Sequence, residues 1–198
     1  PMFDSLAEAN YSLLPGSPAA KIGWSPIDYS AIGPRDRVHA AAALKTSDDV
    51  RAGTLPAHPR LRLAPSDLQR IRAATAADAQ AAELLTNISA HAEYILAQPV
   101  PNGTGLLCDT ILDHMYSLGL LYHLSPNASH RERLAARAAD ELLATAALPS
   151  WSPQRFLTVA ETMHGVAIGY DWFYDSLSPR QRAAIEDGLF RAGISVGL

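Results

Sequence analysis

The spacing of apolar residues along the chain changes at Pro65. From there to the C-terminus apolar side chains recur every three or four residues, which is the period of an amphipathic helix. Short stretches rich in Pro, Gly, Ser and Asn separate the periodic segments, and no segment shows the alternation typical of a strand. The pattern predicts an all-α region with helices near 66–75, 78–97, 105–124, 129–147, 154–174 and 178–192.

Three of these helices start at a sequence that fits a capping box. In such a box the serine hydroxyl and the Glu or Gln side chain three residues later satisfy free amide groups of the first turn. The candidates begin at Ser66, Ser129 and Ser178, and Pro179 takes the first helical position after the last of them. The sequence therefore predicts that each helix begins at its serine.

The predicted helices differ in how much of their surface is apolar. The 129–147 helix has one apolar stripe, formed by Leu134, Ala138, Leu142 and Ala146, whereas the 105–124 and 154–174 helices are apolar around most of their girth. Alternation of half-exposed and enclosed helices is typical of stacked helical hairpins in two layers, with the enclosed helices in the inner layer. A solenoid and an α/α toroid both fit, and no internal repeat favours the solenoid.

Residues 1–56 have no sustained periodicity. They are rich in Pro, Gly, Ser and Asp, and they predict an irregular N-terminal leader with one short helix near 35–44. The expected organisation is therefore a leader over residues 1–56 and a helical domain over residues 57–198.

Composition excludes several classes of function. The chain has 198 residues, 48% of them hydrophobic, and a net charge of -4, which does not favour a nucleic-acid partner. Its single cysteine, Cys108, allows no internal disulfide and no cysteine-based metal site. No apolar run is long enough to span a membrane, and no secretory signal is visible. We expect no cofactor, no metal, and neither nucleic acid nor membrane as a partner. An acidic polysaccharide partner would need a local basic cluster.

Four stretches of the chain resemble a known family in their order and spacing. They are His58-Pro59-Arg60-Leu61, the segment 111–120, the segment 160–175 with Gly169-Tyr170-Asp171-Trp172, and the segment 177–182. Together they resemble the N-terminal helical domain of heparinase II/III-like polysaccharide lyases, which include oligoalginate lyases. The resemblance covers roughly residues 57–192.

The resemblance implies part of an incomplete α/α toroid, which β-sandwich domains of the same enzyme would follow. Members of the family break uronic-acid polysaccharides by β-elimination, using a Tyr with Asn and His partners. In the family those residues come after the Tyr-Asp-Trp segment, so we expect them beyond Leu198 and assign no catalytic residue here. The implied partner is an acidic polysaccharide or oligosaccharide. The implied location is periplasmic or secreted, with cytoplasmic action on imported oligosaccharides as the alternative.

Glu161 and His164 are the first candidates for substrate binding. Their spacing places both on one face of an otherwise apolar helix, where an unpaired Glu is costly to bury. The pair either lines the sugar cleft or forms a buried structural contact. A carboxylate-bridged di-iron site would need a second Glu-x-x-His and two further Glu residues, and the sequence has no second motif.

His114, Arg155 and Trp151 are the remaining candidates. His114 lies in the middle of an enclosed helix and is either a core residue or a cleft residue. Arg155 and Trp151, at the start of the 154–174 helix, either bind a uronate and a sugar ring or form a packing cluster. The leading hypothesis is a lyase portion that supplies part of the substrate cleft. The alternatives are a non-catalytic helical module binding carbohydrate or protein, and a glycoside hydrolase, for which no convincing pair of carboxylic acids is visible.

Overall fold

A computed structural model describes residues 3–5, 10–13 and 55–196. The chain divides into two units, Pro1–Leu55 and Pro56–Leu198. Six α-helices lie in the second unit: α1 Pro65–Ala77, α2 Ala79–Ala97, α3 Asp109–Leu124, α4 Ala128–Ala146, α5 Phe156–Trp172 and α6 Pro179–Gly188. Short 3-10 turns at Gly103–Leu106, Tyr174–Ser176 and Ile194–Val196, and a π turn at Leu189–Gly193, complete it. The prediction of an all-α region is therefore confirmed for residues 55–196.

The first unit contains a short pair of strands. Strand β1, Phe3–Ser5, pairs antiparallel with β2, Asn10–Leu13, so that Phe3 lies opposite Leu13. The segment 1–56, for which the sequence predicts an irregular leader, therefore contains a short strand pair. Strands of three and four residues are too short to display a two-residue period, so no alternation could be detected. The short helix predicted near 35–44 lies outside the described residues.

The three predicted capping boxes have different outcomes. The box at Ser178 is confirmed, since its hydroxyl accepts from the Gln181 amide and the Gln181 side chain accepts from the Ser178 amide. Helix α1 begins earlier than predicted, at Pro65, and the Asp67 carboxylate accepts from the amide of Ala64. Helix α4 is capped by Asn127, whose side chain accepts from the His130 amide. Any short polar side chain in an extended conformation can cap a helix, so neighbouring polar residues compete for the position.

Helix α3 is the centre of the second unit. It packs against α2, α4 and α5, and Ile111, Met115 and Leu118 are fully buried in its core. The apolar stripe of α4 faces the same core, with all four predicted residues buried. The expected enclosure of α3 is therefore confirmed.

Helices α3 and α5 approach each other closely at Gly165. A Cβ atom on Gly165 would lie 2.8 Å from the backbone nitrogen of Leu112, and one on Gly169 would lie 2.5 Å from the sulfur of Met115. The absence of a side chain therefore sets the separation of the two helices. None of the helices in the described part of the chain has the length and apolar character that a membrane span requires.

Candidate functional site

The loop before α1 is bound to the C-terminal end of α5. The buried Asp171 carboxylate accepts from His58 Nδ1 at 2.5 Å and from the backbone amides of Arg60 and Leu61, both at 2.8 Å. The indole of Trp172 donates to the carbonyl of Leu61 at 2.8 Å. Three charge-assisted hydrogen bonds on one carboxylate hold this loop firmly. The motif at residues 58–61 and the motif at residues 169–172 thus form one structural unit.

The His58 ring is held from its face as well as its edge. It stacks on Tyr174, with ring centroids 3.8 Å apart and planes at 12°. The guanidinium of Arg182 lies 3.7 Å from the centroid of Tyr174, which places it on the other face of that ring. This stack, together with Asp171, fixes the orientation of the imidazole.

A polar cavity of about 400 Å³ lies beside this loop, at the C-terminal end of α3. Its walls come from four helices, the loop and the turn after α5. The lining residues are His58, Pro59, Arg72, Tyr122, His123, Ser125, Arg131, Asp171, Trp172 and Asp175.

Two guanidinium groups bring positive charge to this cavity. Arg72 donates to the carbonyl of His123 at 2.7 Å, and Arg131 donates to the carbonyl of Ser125 at 2.9 Å. Both contacts satisfy carbonyl groups at the end of α3, where no intrahelical donors remain. Carbonyls are neutral acceptors, and neither guanidinium forms an ion pair within residues 55–196. Each therefore keeps its charge and further N–H donors for a ligand.

His123 contributes a neutral ring to the cavity wall. Burial lowers the pKa of its imidazole, against the opposing effect of a hydrogen bond to the carbonyl of Trp172. Because a carbonyl can only accept, Nε2 of His123 carries a proton and donates across 2.8 Å. The positive charge facing the cavity thus comes from the arginines rather than from His123.

The two carboxylates at the cavity differ in their availability. The Asp171 side chain is 2% exposed, and the loop contacts occupy both its oxygens. Asp175 is exposed and has no hydrogen-bond partner for its side chain among the described residues. Asp175 is the acceptor that a ligand hydroxyl can reach.

A row of aromatic contacts leads from the cavity to the surface of α5. The Trp172 ring meets His123 edge-on at 6.4 Å and Tyr116 edge-on at 5.3 Å. Tyr116 in turn meets His164 at 5.7 Å, and its hydroxyl lies 3.0 Å from His164 Nε2. We call His123–Trp172–Tyr116–His164 the aromatic row. It runs from the cavity to His164, which the sequence analysis named as a candidate for substrate binding.

The predicted Glu161 and His164 do not form a buried structural pair. His164 is exposed and contacts Tyr116, while Glu161 is half-buried one turn earlier on α5. No hydrogen bond joins the two side chains within the described residues. Both are therefore accessible to a ligand beside the aromatic row.

His114 lies elsewhere. Its Nδ1 is 2.9 Å from the fully buried Glu141 carboxylate, which also accepts from Arg137 Nε at 2.6 Å. His114 and Tyr116 are two residues apart, about 200° around the helix, so they point to opposite sides of α3. His114 was predicted to approach the same cleft as His164; in the structure it contacts Glu141, whereas His164 contacts Tyr116.

Trp151 is a core residue in this structure. Its side chain is fully buried, and its indole donates to the carbonyl of Thr145 at 3.0 Å. An indole without exposed surface offers no face to a sugar ring, so the packing interpretation applies to it. Arg155 is exposed and precedes α5 as its N-cap residue, nine residues before His164. That separation is about 13 Å along the helix axis, which places Arg155 away from the aromatic row.

Several residues at this site were missed as site candidates. His58 and Asp171 were noted only as parts of motifs, and Arg72 and Arg131 are ordinary exposed-helix residues in sequence. Only the folded chain brings residues so far apart in sequence to one cavity. The available signal was the pair of motifs at 58–61 and 169–172, whose order and spacing were interpreted as a family resemblance.

The remaining chemistry of the site is limited. Burial and a hydrogen bond to the Glu186 carboxylate raise the pKa of the Tyr170 phenol, which stays protonated at neutral pH. Among the residues that the structure describes, no three His, Cys, Asp or Glu side chains converge to hold a metal ion. No protein-family model matches this chain, and no curated protein matches it. The fold and site define an all-α unit with a polar, cationic cavity.

Proposed function

We propose that this chain is the N-terminal helical portion of a polysaccharide lyase that cleaves uronic-acid polysaccharides by β-elimination. Its part in that enzyme is to supply one section of the substrate cleft. The observation that carries the proposal is the cavity beside the loop of residues 58–61, with its two guanidinium groups free of ion pairs in the described residues. Two of the four stretches that resemble the lyases, 58–61 and 160–175, contribute residues to the wall of this cavity.

The cavity has the chemistry that an anionic sugar requires. Guanidinium groups bind carboxylates through paired hydrogen bonds, and a volume of about 400 Å³ lies within the usual range for ligand sites. Asp175 can accept sugar hydroxyls, and the half-buried Tyr122 adds an aromatic surface. Glu161 and His164 of α5, with Tyr116 of α3, extend the same polar and aromatic character away from the cavity. An extended saccharide would contact both the cavity and the surface near Glu161 and His164.

An incomplete α/α toroid completed by other parts of the enzyme is the architecture that we propose. Support comes from large apolar side chains exposed at the start of α5 and near the C-terminus. Phe156 is 59% exposed, Leu157 70% and Phe190 59%. Side chains of this size are favourable to bury against further helices or domains. The proposed partners are the remaining toroid and β-sandwich domains, and the proposed location is periplasmic or secreted.

Calorimetric titration of the chain with uronate tetrasaccharides tests the proposal. We expect binding to oligouronates and much weaker binding to the same oligosaccharides after reduction of their carboxyl groups. A parallel assay follows the ultraviolet absorbance of the unsaturated product. We expect no turnover by this chain alone, because no Tyr, Asn and His set of the family can be placed in it. Equal binding of the reduced sugars, or turnover by the chain, would contradict the proposal.

The alternative is a non-catalytic helical module that binds carbohydrate. The same cavity favours it, since it binds a ligand without supplying a catalytic set. Lyase activity of the longer natural protein, lost in Arg72→Gln or Arg131→Gln variants that still fold, separates the enzyme from the module.

A further inference from the structure

His58 presents an unused nitrogen to the cationic cavity. Its imidazole lines the cavity and is 12% exposed, and Nδ1 is taken by the Asp171 carboxylate. Nε2 has no hydrogen-bond partner among the described residues. A ring that lines a cavity and is held on a buried carboxylate through one nitrogen keeps its other nitrogen for a ligand.

The carboxylate also decides what this nitrogen can do. Asp171 accepts from two backbone amides and so remains an acceptor toward His58, which places a proton on Nδ1. Nε2 is then an acceptor in the neutral imidazole and a donor in the imidazolium. An anion in the cavity favours the imidazolium, because it receives a charge-assisted hydrogen bond from Nε2.

The charged and titratable groups around His58 come from every neighbouring element. They are Arg60 of its own loop, Asp171 and Tyr170 of α5, Tyr174 and Asp175 of the following turn, Arg182 of α6, Arg72 of α1, His123 of α3 and Arg131 of α4. Asp171 is already neutralised by its donors, and Tyr174 separates Arg182 from the imidazole. Among the described residues that line the cavity, Asp175 is the remaining acidic group, and it is exposed to solvent. The balance on the cavity side therefore favours an anion.

We propose that His58 is the third cation of an anion subsite, together with Arg72 and Arg131, and that this subsite binds the carboxylate of a single uronate unit. The inference rests on the proposed function, since it assigns the sugar carboxylate to one place in the proposed cleft. Asp175 then accepts hydroxyl groups of the same sugar. The cavity volume suits one sugar unit with its ordered water rather than a longer chain.

The known geometry of amide side chains provides a matched pair of variants. In His58→Asn the amide nitrogen replaces Nδ1 and keeps the contact with Asp171, but nothing replaces Nε2. In His58→Gln the amide nitrogen reaches the position of Nε2, but the contact with Asp171 is lost. Thermal melts followed by circular dichroism show whether each variant is folded.

The test is calorimetric titration of the chain and both variants with a uronate tetrasaccharide and its carboxyl-reduced form. We expect His58→Asn to weaken uronate binding about tenfold or more, as for loss of one charge-assisted hydrogen bond. Binding of the carboxyl-reduced sugar should not change in His58→Asn.

A second measurement needs no variant. Addition of the uronate should shift the imidazole ¹⁵N signals of His58 in the wild-type chain toward those of an imidazolium. Uronate binding that is unchanged in His58→Asn, with no movement of these signals, overturns the subsite while leaving the proposed function intact. No binding of any oligouronate overturns both. Tighter binding of a sulfated oligosaccharide of equal length overturns the assignment to a carboxylate.

Discussion

The Asp171 carboxylate binds the His58 imidazole across 113 residues of sequence, at 2.5 Å. This contact joins the loop before α1 to the last turn of α5. It also closes one wall of the cavity, because the same carboxylate holds the backbone of Arg60 and Leu61. The two motifs therefore depend on each other for their positions.

Replacing this carboxylate should destabilise the fold. In Asp171→Asn an amide group would face three donors, and we expect a loss of ~2–4 kcal/mol in the free energy of unfolding, as for a broken buried network. Urea unfolding measures it. The control is Asp175→Asn, four residues later and exposed, which should change stability by less than about 0.5 kcal/mol. Equal effects of the two substitutions would contradict the role of Asp171.

The buried contact between Arg137 and Glu141 should behave as a single unit. Glu141→Gln leaves the buried Arg137 without its counter-charge, so we expect a loss of ~3 kcal/mol or more. The double variant Arg137→Met with Glu141→Leu should lose less stability than the sum of the losses in Arg137→Met and Glu141→Leu alone. Chemical denaturation measures all three. Arg133→Met, at a residue 61% exposed on the same helix, is the control and should be nearly neutral. Additive effects would show that the pair is not coupled.

The separation of α3 and α5 should depend on Gly165. Gly165→Ala forces a methyl group against the backbone of Ile111 and Leu112, and overpacking of this kind costs ~1–3 kcal/mol. Gly105→Ala is the control, because its nearest neighbour, Pro101, lies at an ordinary contact distance of 3.6 Å. Melting temperatures of the two variants test the difference. If the melting temperature of Gly165→Ala equals that of the wild-type chain, α3 and α5 can move apart without a cost in stability.

Protonation of His123 should weaken the fold in mild acid. Burial lowers the pKa of His123 in the folded chain below its ordinary value of 6.5, so the unfolded chain binds the proton more readily. Its contribution to the free energy of unfolding therefore falls as the pH decreases through about 6.5 toward the folded pKa. Unfolding measured from about pH 8 to about pH 5 should show a smaller decrease in His123→Gln than in the wild-type chain. If the free energy of unfolding falls equally with pH in both proteins, His123 is not the source of the decrease.

Substitutions of Glu161 and His164 should affect substrate binding more than the stability of the fold. Both side chains reach solvent beside the aromatic row, so in the lyase that we propose Glu161→Gln and His164→Ala should raise KM several-fold with little change in melting temperature. Tyr116→Phe, which removes only the hydroxyl that lies 3.0 Å from His164 Nε2, is the matched control for the contact between Tyr116 and His164. If the substitutions unfold the protein and leave the kinetics of the folded fraction unchanged, the residues are structural.

The sequence by itself determined the helical character of this protein. The period of apolar residues predicted six helices and their breakers, and Ser178 was identified as a cap, because such signals act within a few residues. That α3 lies against α5 at Gly165 was not predictable, since a missing side chain permits a close approach but does not select the partner helix. The alternation of strands β1 and β2 was too short to detect.

Tertiary structure alone decided the site. His58, Arg72, Arg131 and Asp171 come together only when α1, α4 and α5 pack around α3, and their separations in sequence carry no local signal. The same packing moved Trp151 into the core and paired His114 with Glu141. Polar groups that helix packing buries must find partners, and which partners are within reach depends on long-range geometry rather than on local pattern.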